Sequence, residues 1–258
     1  MANTNPSTLR RIDFNCDLGE GCGGDAAIIP LISAASIACG GHAGDTVSMR
    51  ATVALCQRHG VAIGAHPSFD DRGHFGRREL ALDDDAVRAL VMHQVGALAA
   101  VCNASGAILR HVKPHGALYN LAAREADVAA AIADAVRDLD PALVLYGLAD
   151  SELTRAGEAA GLRVAHEVFA ERRYEADGRL TPRGTEGAVI EDLDGSIAQV
   201  LDILRDGRVL ARTGERVSLH ADTLCLHGDR ADAPAFAQAL RDVLQQEGFV
   251  IAAPVRDA

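Results

Sequence analysis

The sequence predicts an α/β protein built as a parallel β/α barrel. Two observations support this prediction: short apolar runs recur along the chain, and a stretch with helical spacing separates most of them. Strands that alternate with helices form parallel βαβ units. About seven or eight such units in a chain of 258 residues fit a closed barrel better than an open sheet. No linker or repeat divides the sequence, so we expect one domain over residues 1–258.

The predicted strands are short runs that are rich in apolar and β-branched residues. Each run is bounded by glycine or by polar residues, as is typical of strands buried in a parallel sheet. In chain order the predicted strands occupy residues 12–16, 36–39, 62–65, 108–113, 143–147, 164–169 and 223–226, with a weaker pattern at 249–252.

The predicted helices lie between these strands, and the first of them carries clear start and stop signals. Asp45 is the expected N-cap of a helix over residues 46–59, and Gly60 is its expected end. Its buried face is expected to carry Val47, Ala51, Ala54 and Leu55. The other predicted helices occupy residues 83–105, 121–139, 151–160, 196–205 and 234–247.

One segment, residues 172–222, departs from this alternation of strands and helices. It is rich in glycine and arginine, and it predicts one helix and a short hairpin around residues 213–214. Long excursions from a compact fold often cover or form a functional site. We therefore expect this segment to contribute to the site.

Composition argues against several classes of protein. Apolar residues make up 48% of the chain, unlike disordered or fibrous proteins. The formal net charge of −11 argues against nucleic acid or an anionic membrane as a partner. No apolar run approaches the roughly 18 residues that cross a bilayer, and residues 1–11 lack the apolar stretch of a secretory signal. The six cysteines form no C-x-x-C pair, which favours a reducing, cytoplasmic location.

Polar side chains follow most of the predicted strands at the point where each strand ends. In a β/α barrel the carboxyl ends of the strands converge on one face, where active sites are built. We therefore expect these side chains to meet in one site. They are Asn15, Asp17, Glu20, His42, Asp45, His66, Lys113, His115, Asn120, Glu167, Glu171, Arg172, His227 and Asp229.

Two of these residues also have a structural explanation. Asp45 fits the N-cap of the following helix. Glu167 lies within a predicted strand, where an unpaired carboxylate is costly to bury. Its carboxylate is therefore expected to pair with Arg172 or Lys113.

The densest polar segment contains Lys113, the only lysine of the chain. Pro114 ends the strand directly after it because proline cannot donate to the sheet. Gly116 permits a tight turn and the close approach of a ligand. Lys113 and His115 are therefore expected side by side, where a cation can stabilise an oxyanion while an imidazole transfers a proton. A genomic preference for arginine codons is the alternative explanation of the single lysine.

The sequence resembles the LamB/YcsF family in a series of segments that occur in the family's order. The segments are DFNCDLGE (13–20), IACGGHAGD (37–45), GAHPS (64–68), FGRR (75–78), VKPHGALYN (112–120), EVFAER (167–172) and CLHGD (225–229). The resemblance implies a distorted parallel (β/α)7 barrel similar to the glycoside hydrolase/deacetylase superfamily. It also implies ATP-dependent hydrolysis of 5-oxo-L-proline to L-glutamate, with ATP as co-substrate and with 5-oxoprolinase subunits B and C as partners.

This implied chemistry suggests roles for the clustered residues. A five-membered lactam resists hydrolysis, and phosphorylation of its oxygen makes the carbon electrophilic. The site then needs cations for anionic oxygens and a base for water. We predict as catalytic Asp17, His42, His66, Lys113, His115 and Glu171. We predict as binding residues for substrate or phosphate Asn15, Glu20, Asp45, Arg77, Asn120, Arg172, His227 and Asp229. The sequence leaves the identity of the base open.

Other functions remain open at this point. One is a metal-dependent amide or ester hydrolase that acts alone, with Asp17, His42 and His66 as candidate ligands of Zn²⁺ or a similar divalent cation. Another is an enzyme of the same family that acts on a related lactam. A non-catalytic or sugar-binding module is disfavoured, because the chain has no tryptophan and only 3% aromatic residues for stacking.

Overall fold

Seven parallel strands close into a barrel in the computed structural model, which describes residues 10–228 and 232–254. The barrel strands are β1 (Arg11–Leu18), β2 (Ala34–Ala38), β3 (Ala62–His66), β4 (Leu109–Val112), β5 (Val144–Leu148), β6 (Arg163–Phe169) and β9 (Thr223–His227). They pair in this order, and β9 pairs with β1 to close the barrel. The closed parallel barrel confirms the predicted fold class.

The remaining elements surround this barrel. Strands β7 (Arg208–Leu210) and β8 (Arg216–Ser218) form the predicted antiparallel hairpin, and β10 (Val250–Ile251) pairs with the start of β1. The helices are α1 (Asp25–Ile28), α2 (Thr46–His59), α3 (Asp84–Ala104), α4 (Gly116–Ala122), α5 (Ala126–Leu139), α6 (Glu152–Ala159), α7 (Leu193–Asp206) and α8 (Ala233–Gln246), with two short 3₁₀ turns at Ile29–Leu31 and Arg72–His74.

Helix α2 begins and ends at the predicted residues, but its predicted buried face is only partly correct, because Leu55 packs against the core and Val47 does not. The Asp45 carboxylate accepts hydrogen bonds from the backbone of the first turn, and Gly60 ends the helix with a φ of 68°. Val47 is 76% exposed, whereas Met49 and Val53 are buried. The helix carries two apolar stripes with the same spacing, and the stripe with the larger side chains faces the barrel.

The single helix predicted over residues 121–139 is wrong, because the structure has two helices there. Helix α4 ends at Ala122, and Glu125, in extended conformation, precedes α5. The guanidinium of Arg124 between them donates to the carboxylate of Glu79 at 2.7 Å. The sequence has neither glycine nor proline at this break, so no local signal marks it.

Among the described helices, α3 alone is long and apolar enough to cross a membrane by length and composition. It packs against β3 and β4 and against α2 and α5. Its buried side chains include Val87, Val91 and Leu98, at helical spacing. Its apolar face is therefore used to cover the barrel wall.

The barrel interior accommodates the imidazole of His111 because β3 has a glycine opposite it. A Cβ built on Gly64 would lie 2.0 Å from Nε2 of His111. The ring stacks on Tyr146 with centroids 4.2 Å apart, and its Nε2 lies 3.1 Å from Oγ of Ser36. Burial, with a smaller contribution from the charge of Lys113, lowers the pKa of His111 to about 3.

We expect Gly64→Ala to destabilise the protein by roughly 1–3 kcal/mol, because the added methyl group meets a ring that has no room to move. The matched control is Gly96→Ala in α3, where an added Cβ meets nothing within 4 Å. Alanine in that helix interior should stabilise by about 0.5–1 kcal/mol. Urea unfolding of both variants measures the difference, and equal stabilities would contradict this account of the interior.

The buried ring of His111 also predicts a loss of stability in acid. Its folded pKa of about 3 lies below the value of 6.5 expected for an unperturbed ring. Between these values the unfolded chain binds a proton that the folded chain does not, so the free energy of unfolding falls as the pH decreases. Between pH 7 and pH 5, the free energy of unfolding of His111→Gln should fall by about 2 kcal/mol less than that of the unchanged protein. Identical losses in urea titrations would refute the assignment.

Candidate active site

The carboxyl ends of the barrel strands surround a cavity of about 550 Å³. A cavity of this volume is suited to a small molecule. Many of the residues singled out from the sequence line it: Asp17, His66, Arg77, Lys113, His115, Asn120, Glu167, Arg172 and His227. They meet at one face of the barrel, as expected for residues that follow parallel strands.

Lys113 forms the charged centre of this site. Its Nζ lies 2.6 Å from Oδ1 of Asp17 and 2.9 Å from Oε1 of Glu167, and it donates to Oδ1 of Asn15 at 2.9 Å. Of the two partners predicted for Glu167, the structure selects Lys113. The side chain of Lys113 is 2% exposed, so its ammonium is almost completely buried although it lines the cavity.

The charges around the ammonium of Lys113 affect its pKa more than its burial does. Burial alone would lower the pKa of Lys113, but Asp17, Cys225 and Glu167 hold it well above its usual value. Burial alone would likewise raise the pKa of Asp17, but His66 and Lys113 hold it well below its usual range. Asp17 is therefore ionised at neutral pH and is a weak base.

Three imidazole rings lie on one side of Asp17. The rings of His42 and His115 stack in parallel with centroids 3.7 Å apart, and Nδ1 of His115 lies 2.9 Å from Nε2 of His66. Oε1 of Glu20 lies 3.0 Å from Nε2 of His42. Burial lowers the pKa of His42 to about 4 and that of His115 well below its usual value.

A glycine permits this close packing of rings. Gly76 has a φ of +63°, and an added Cβ would lie 2.8 Å from Cβ of His42 and 3.1 Å from Cδ2 of His115. Its carbonyl oxygen also limits the space beside Gly116, where an added Cβ would lie 2.7 Å from it. The two glycines therefore allow the 75–78 loop to approach the start of α4.

His227 lies on the other side of Asp17, and Glu171 holds it. Nδ1 of His227 forms a short contact with Oε1 of Glu171, and the ring stacks on Phe169 with centroids 5.6 Å apart. Burial alone would raise the pKa of Glu171, but His227 lowers it below its usual value. Glu171 therefore fixes the position of the His227 ring, which itself lines the cavity.

Arginines line the cavity further from the centre. They are Arg77, Arg124, Arg172, Arg179 and Arg183. The segment 172–222 supplies three of them, so the predicted excursion does form part of the wall. Arg172 is buried and donates to the carbonyl oxygen of Thr181 at 2.6 Å, and burial lowers its pKa to about 10. The carboxylates of Glu79, Glu175 and Asp177 lie in the same lining.

The structure does not bring all of the predicted residues to the cavity. Asp45 is exposed, and its carboxylate accepts hydrogen bonds from Val47 and Ser48 as the N-cap of α2. The prediction that Asp45 binds substrate is therefore wrong, and Asp45 instead caps helix α2. Asp229 lies outside the described residues.

Four other predicted residues lie behind the cavity lining, namely Asn15, Glu20, His42 and Glu171. The sequence patterns also failed to identify several residues of the lining, among them two aromatic ones. Tyr119 lines the cavity four residues after His115, a helical spacing that could have identified it. Phe169, at the end of β6, adds an apolar wall, and nothing in its sequence pattern distinguishes it from a core residue.

The chain is similar to known proteins over nearly its whole length. Residues 12–258 match the LamB/YcsF family. The A subunit of the 5-oxoprolinase of Geobacillus kaustophilus is 54% identical over 253 residues, which cover 96% of this chain and 99% of that protein. The corresponding protein of Geobacillus thermodenitrificans, with the same name, is 53% identical over 249 residues, which cover 95% and 97%. The crystal structure of a lactam utilization protein from Thermus thermophilus has a TM-score of 0.87 and 43% identity, covering 95% of this chain and 100% of that one.

We expect Lys113→Met to lower the free energy of unfolding by roughly 3–5 kcal/mol, because it leaves two buried carboxylates without a counter-charge. Adding Glu167→Gln should recover part of this loss, since one carboxylate is then removed. The control is Arg155→Met, which breaks a surface pair with Glu152 and should unfold like the unchanged protein. Urea titrations measure all three. If Lys113→Met unfolds like the control, the buried ion pair is not what stabilises the barrel.

Proposed function

Because this chain belongs to the LamB/YcsF family, we propose that it is the A subunit of a 5-oxoprolinase, which hydrolyses the lactam of 5-oxo-L-proline to L-glutamate with ATP as co-substrate. The two relatives with that name match it almost end to end. The observation that carries the proposal is the cavity itself, in which ionised, imidazole and guanidinium groups converge.

The lining suits an anionic five-membered ring. 5-Oxoproline carries one carboxylate, and a guanidinium binds a carboxylate through two parallel hydrogen bonds. Arg77 and Arg172 line the cavity and supply this positive charge in a chain with a net charge of −11. Leu148, Ala117 and Phe169 provide an apolar surface for the ring methylenes.

The reaction needs an activated carbonyl and an activated water. Transfer of the terminal phosphoryl group of ATP to the lactam oxygen makes the ring carbon electrophilic. Water then adds to that carbon, and the C–N bond breaks as the ring nitrogen takes up a proton, which opens the ring and leaves an acyl phosphate. A second water hydrolyses the acyl phosphate, so the products are ADP, phosphate and glutamate. Cations near the transferred group stabilise the developing charge.

We assign the activation of water to His227. It lines the cavity, and a carboxylate that holds the other ring nitrogen is the usual arrangement for a histidine base. Asp17 is a weaker candidate, because Lys113 and His66 stabilise its ionised form. Glu171, which we predicted as catalytic, becomes a positioning residue for His227.

Partner subunits B and C complete the proposed enzyme. The sequence contains no complete G-x-x-x-x-G-K-[ST] motif for ATP, so part of the nucleotide site is expected on a partner. All six cysteines are free, which fits the reducing cytoplasm.

A metal-dependent amide hydrolase that acts alone is the second candidate function. The observation that favours it is the group of three histidines and Glu20 beside the cavity. Hydrolysis of 5-oxoproline by the isolated chain with a divalent cation but without ATP would favour this alternative.

We expect the isolated chain to form little or no glutamate from 5-oxoproline and ATP, and the addition of subunits B and C to restore turnover. Glutamate and ADP are measured together, since the coupled reaction produces both. Robust ATP-dependent turnover by the isolated chain would refute the need for partners.

In the reconstituted complex, His227→Gln should lower kcat by roughly 10²–10⁴-fold, because it removes the base. Glu171→Gln should lower kcat less, with a shifted pH profile. His220→Gln is the control, because His220 is an exposed histidine that also pairs with a carboxylate, at 3.0 Å from Asp222. A His227→Gln complex with the kcat of the control would overturn the assignment.

A further inference from the structure

The hydrogen bonds around His66 and His115 fix which ring nitrogen carries the hydrogen. Nδ1 of His66 lies 2.7 Å from the carbonyl oxygen of Lys113, and Nε2 of His115 lies 2.9 Å from the carbonyl oxygen of Phe75. A carbonyl oxygen can only accept a hydrogen bond. Each of these two nitrogens is therefore the N–H of its ring.

The other nitrogens of the same two rings face each other. Nε2 of His66 and Nδ1 of His115 are 2.9 Å apart. If both rings are neutral, each of these nitrogens presents a lone pair, and two lone pairs repel at this distance. The arrangement is stable only if a positive species lies at both nitrogens, either a shared proton or a metal ion.

Two more side chains bring ligand atoms to the same point. Oε1 of Glu20 lies 3.6 Å from Nδ1 of His115 and 3.0 Å from Nε2 of His42. One ligand atom from each of the four residues lies within 4.8 Å of the others. Nδ1 of His42 is buried and has no hydrogen-bond partner among the described residues, so the protein does not use all the hydrogen-bonding capacity of this ring.

We propose that Glu20, His42, His66 and His115 bind one divalent transition-metal ion. Three imidazoles and one carboxylate are a typical ligand set for Zn²⁺ and for ions of similar preference. In a tetrahedral Zn²⁺ site with bonds of about 2.0–2.1 Å, neighbouring ligand atoms are roughly 3.3 Å apart. The observed separations are close to this value. Because the rings of His42 and His115 are stacked in parallel, one of them must also turn for both lone pairs to reach one ion.

The hydrogen bonds from the ring N–H groups to backbone carbonyls support this assignment. Metal-bound histidines usually donate their second nitrogen to a carbonyl or a carboxylate, which orients the ring. His66 and His115 both have such a partner. The rings are therefore held with a lone pair toward the proposed ion before it binds.

The ligand set differs from the one predicted from the sequence, which contained Asp17. Oδ1 of Asp17 is held by Nζ of Lys113 at 2.6 Å. Its Oδ2 lies 3.3 Å from Nε2 of His66, but Asp17 brings no atom to the point where the other four residues meet. A second group, formed by Asp17, Cys225 and His227, is also close together. The ammonium of Lys113 lies 3.3 Å from Sγ of Cys225 and would repel a metal ion there.

The site goes beyond the proposed function, because its geometry does not depend on any substrate. His66 and His115 both line the cavity. A divalent ion bound by them would be within reach of a small molecule there, and such an ion polarises a carbonyl or phosphoryl oxygen.

The test is metal binding by the full chain without a polyhistidine tag, after dialysis against a chelator. Titration with Co²⁺ should give one bound ion per chain and the visible absorption of a four-coordinate site. Elemental analysis of protein purified without chelator should find close to one equivalent of a transition metal. Glu20→Gln and His42→Gln should each weaken Co²⁺ binding by at least about 100-fold, because each removes a ligand.

The control is His220→Gln, which removes an exposed histidine near a carboxylate and should leave the Co²⁺ affinity unchanged. Two ligand variants are used so that a folding defect in one, detected by circular dichroism, leaves the other informative. The absence of stoichiometric Co²⁺ binding would overturn the proposal and leave a shared proton between the rings. Equal affinities in the unchanged protein and both ligand variants would overturn it as well. The measurement involves no 5-oxoproline, ATP or partner, so its failure is distinct from failure of the proposed function.

Discussion

The buried ammonium of Lys113 is the interaction on which the site depends. It follows β4 directly and contacts Asp17 and Asn15 from β1, Glu167 from β6 and Cys225 from β9. A charge buried this deeply is tolerated only with close and complementary partners. Strands from opposite sides of the barrel must therefore be placed so that their polar groups meet at one nitrogen. This buried ion pair fixes the geometry of the site more than it stabilises the fold, because the free energy needed to remove the charges from water offsets much of their attraction.

This central charge divides the site into regions with different electrostatics. Asp17 stays ionised beside Lys113, while the buried rings of His42 and His115 favour their neutral forms, as the lowered pKa of each ring indicates. Neutral imidazoles are suited to binding a metal ion or accepting a proton. On the other side, Glu171 holds Nδ1 of His227, and His227 lowers the pKa of Glu171 below its usual value. The arginines remain at the cavity wall, where an anionic ligand would arrive.

The sequence predicted the parts of the fold that depend on local patterns. The barrel strands and the capped helix α2 follow from apolar runs, Asp45 and Gly60. The break between α4 and α5 involves a contact of Arg124 with Glu79, 45 residues away, and has no local signal.

The sequence also predicted that the site residues meet, because the carboxyl ends of the strands in a β/α barrel lie at one face. It did not predict the burial of Lys113, because its partners Glu167 and Asn15 lie 54 and 98 residues away in the chain. The grouping of Glu20 and His115 with His42 depends on side-chain directions, which spacing does not encode.

Asp17 is the residue that connects these regions. Its carboxylate lies 2.6 Å from Nζ of Lys113, 3.3 Å from Nε2 of His66 and 3.9 Å from Nε2 of His227. Removing the Asp17 carboxylate would therefore leave the Lys113 ammonium with one counter-charge fewer. It would also change the electrostatic potential at His66, a proposed metal ligand, and at His227, the proposed base. Groups that act as a unit give strongly non-additive effects on turnover. An inactive Asp17 variant would thus not identify Asp17 as the base. The roles are separated only by variants at the edges of the site, such as Glu20 and Glu171, each of which contacts one region.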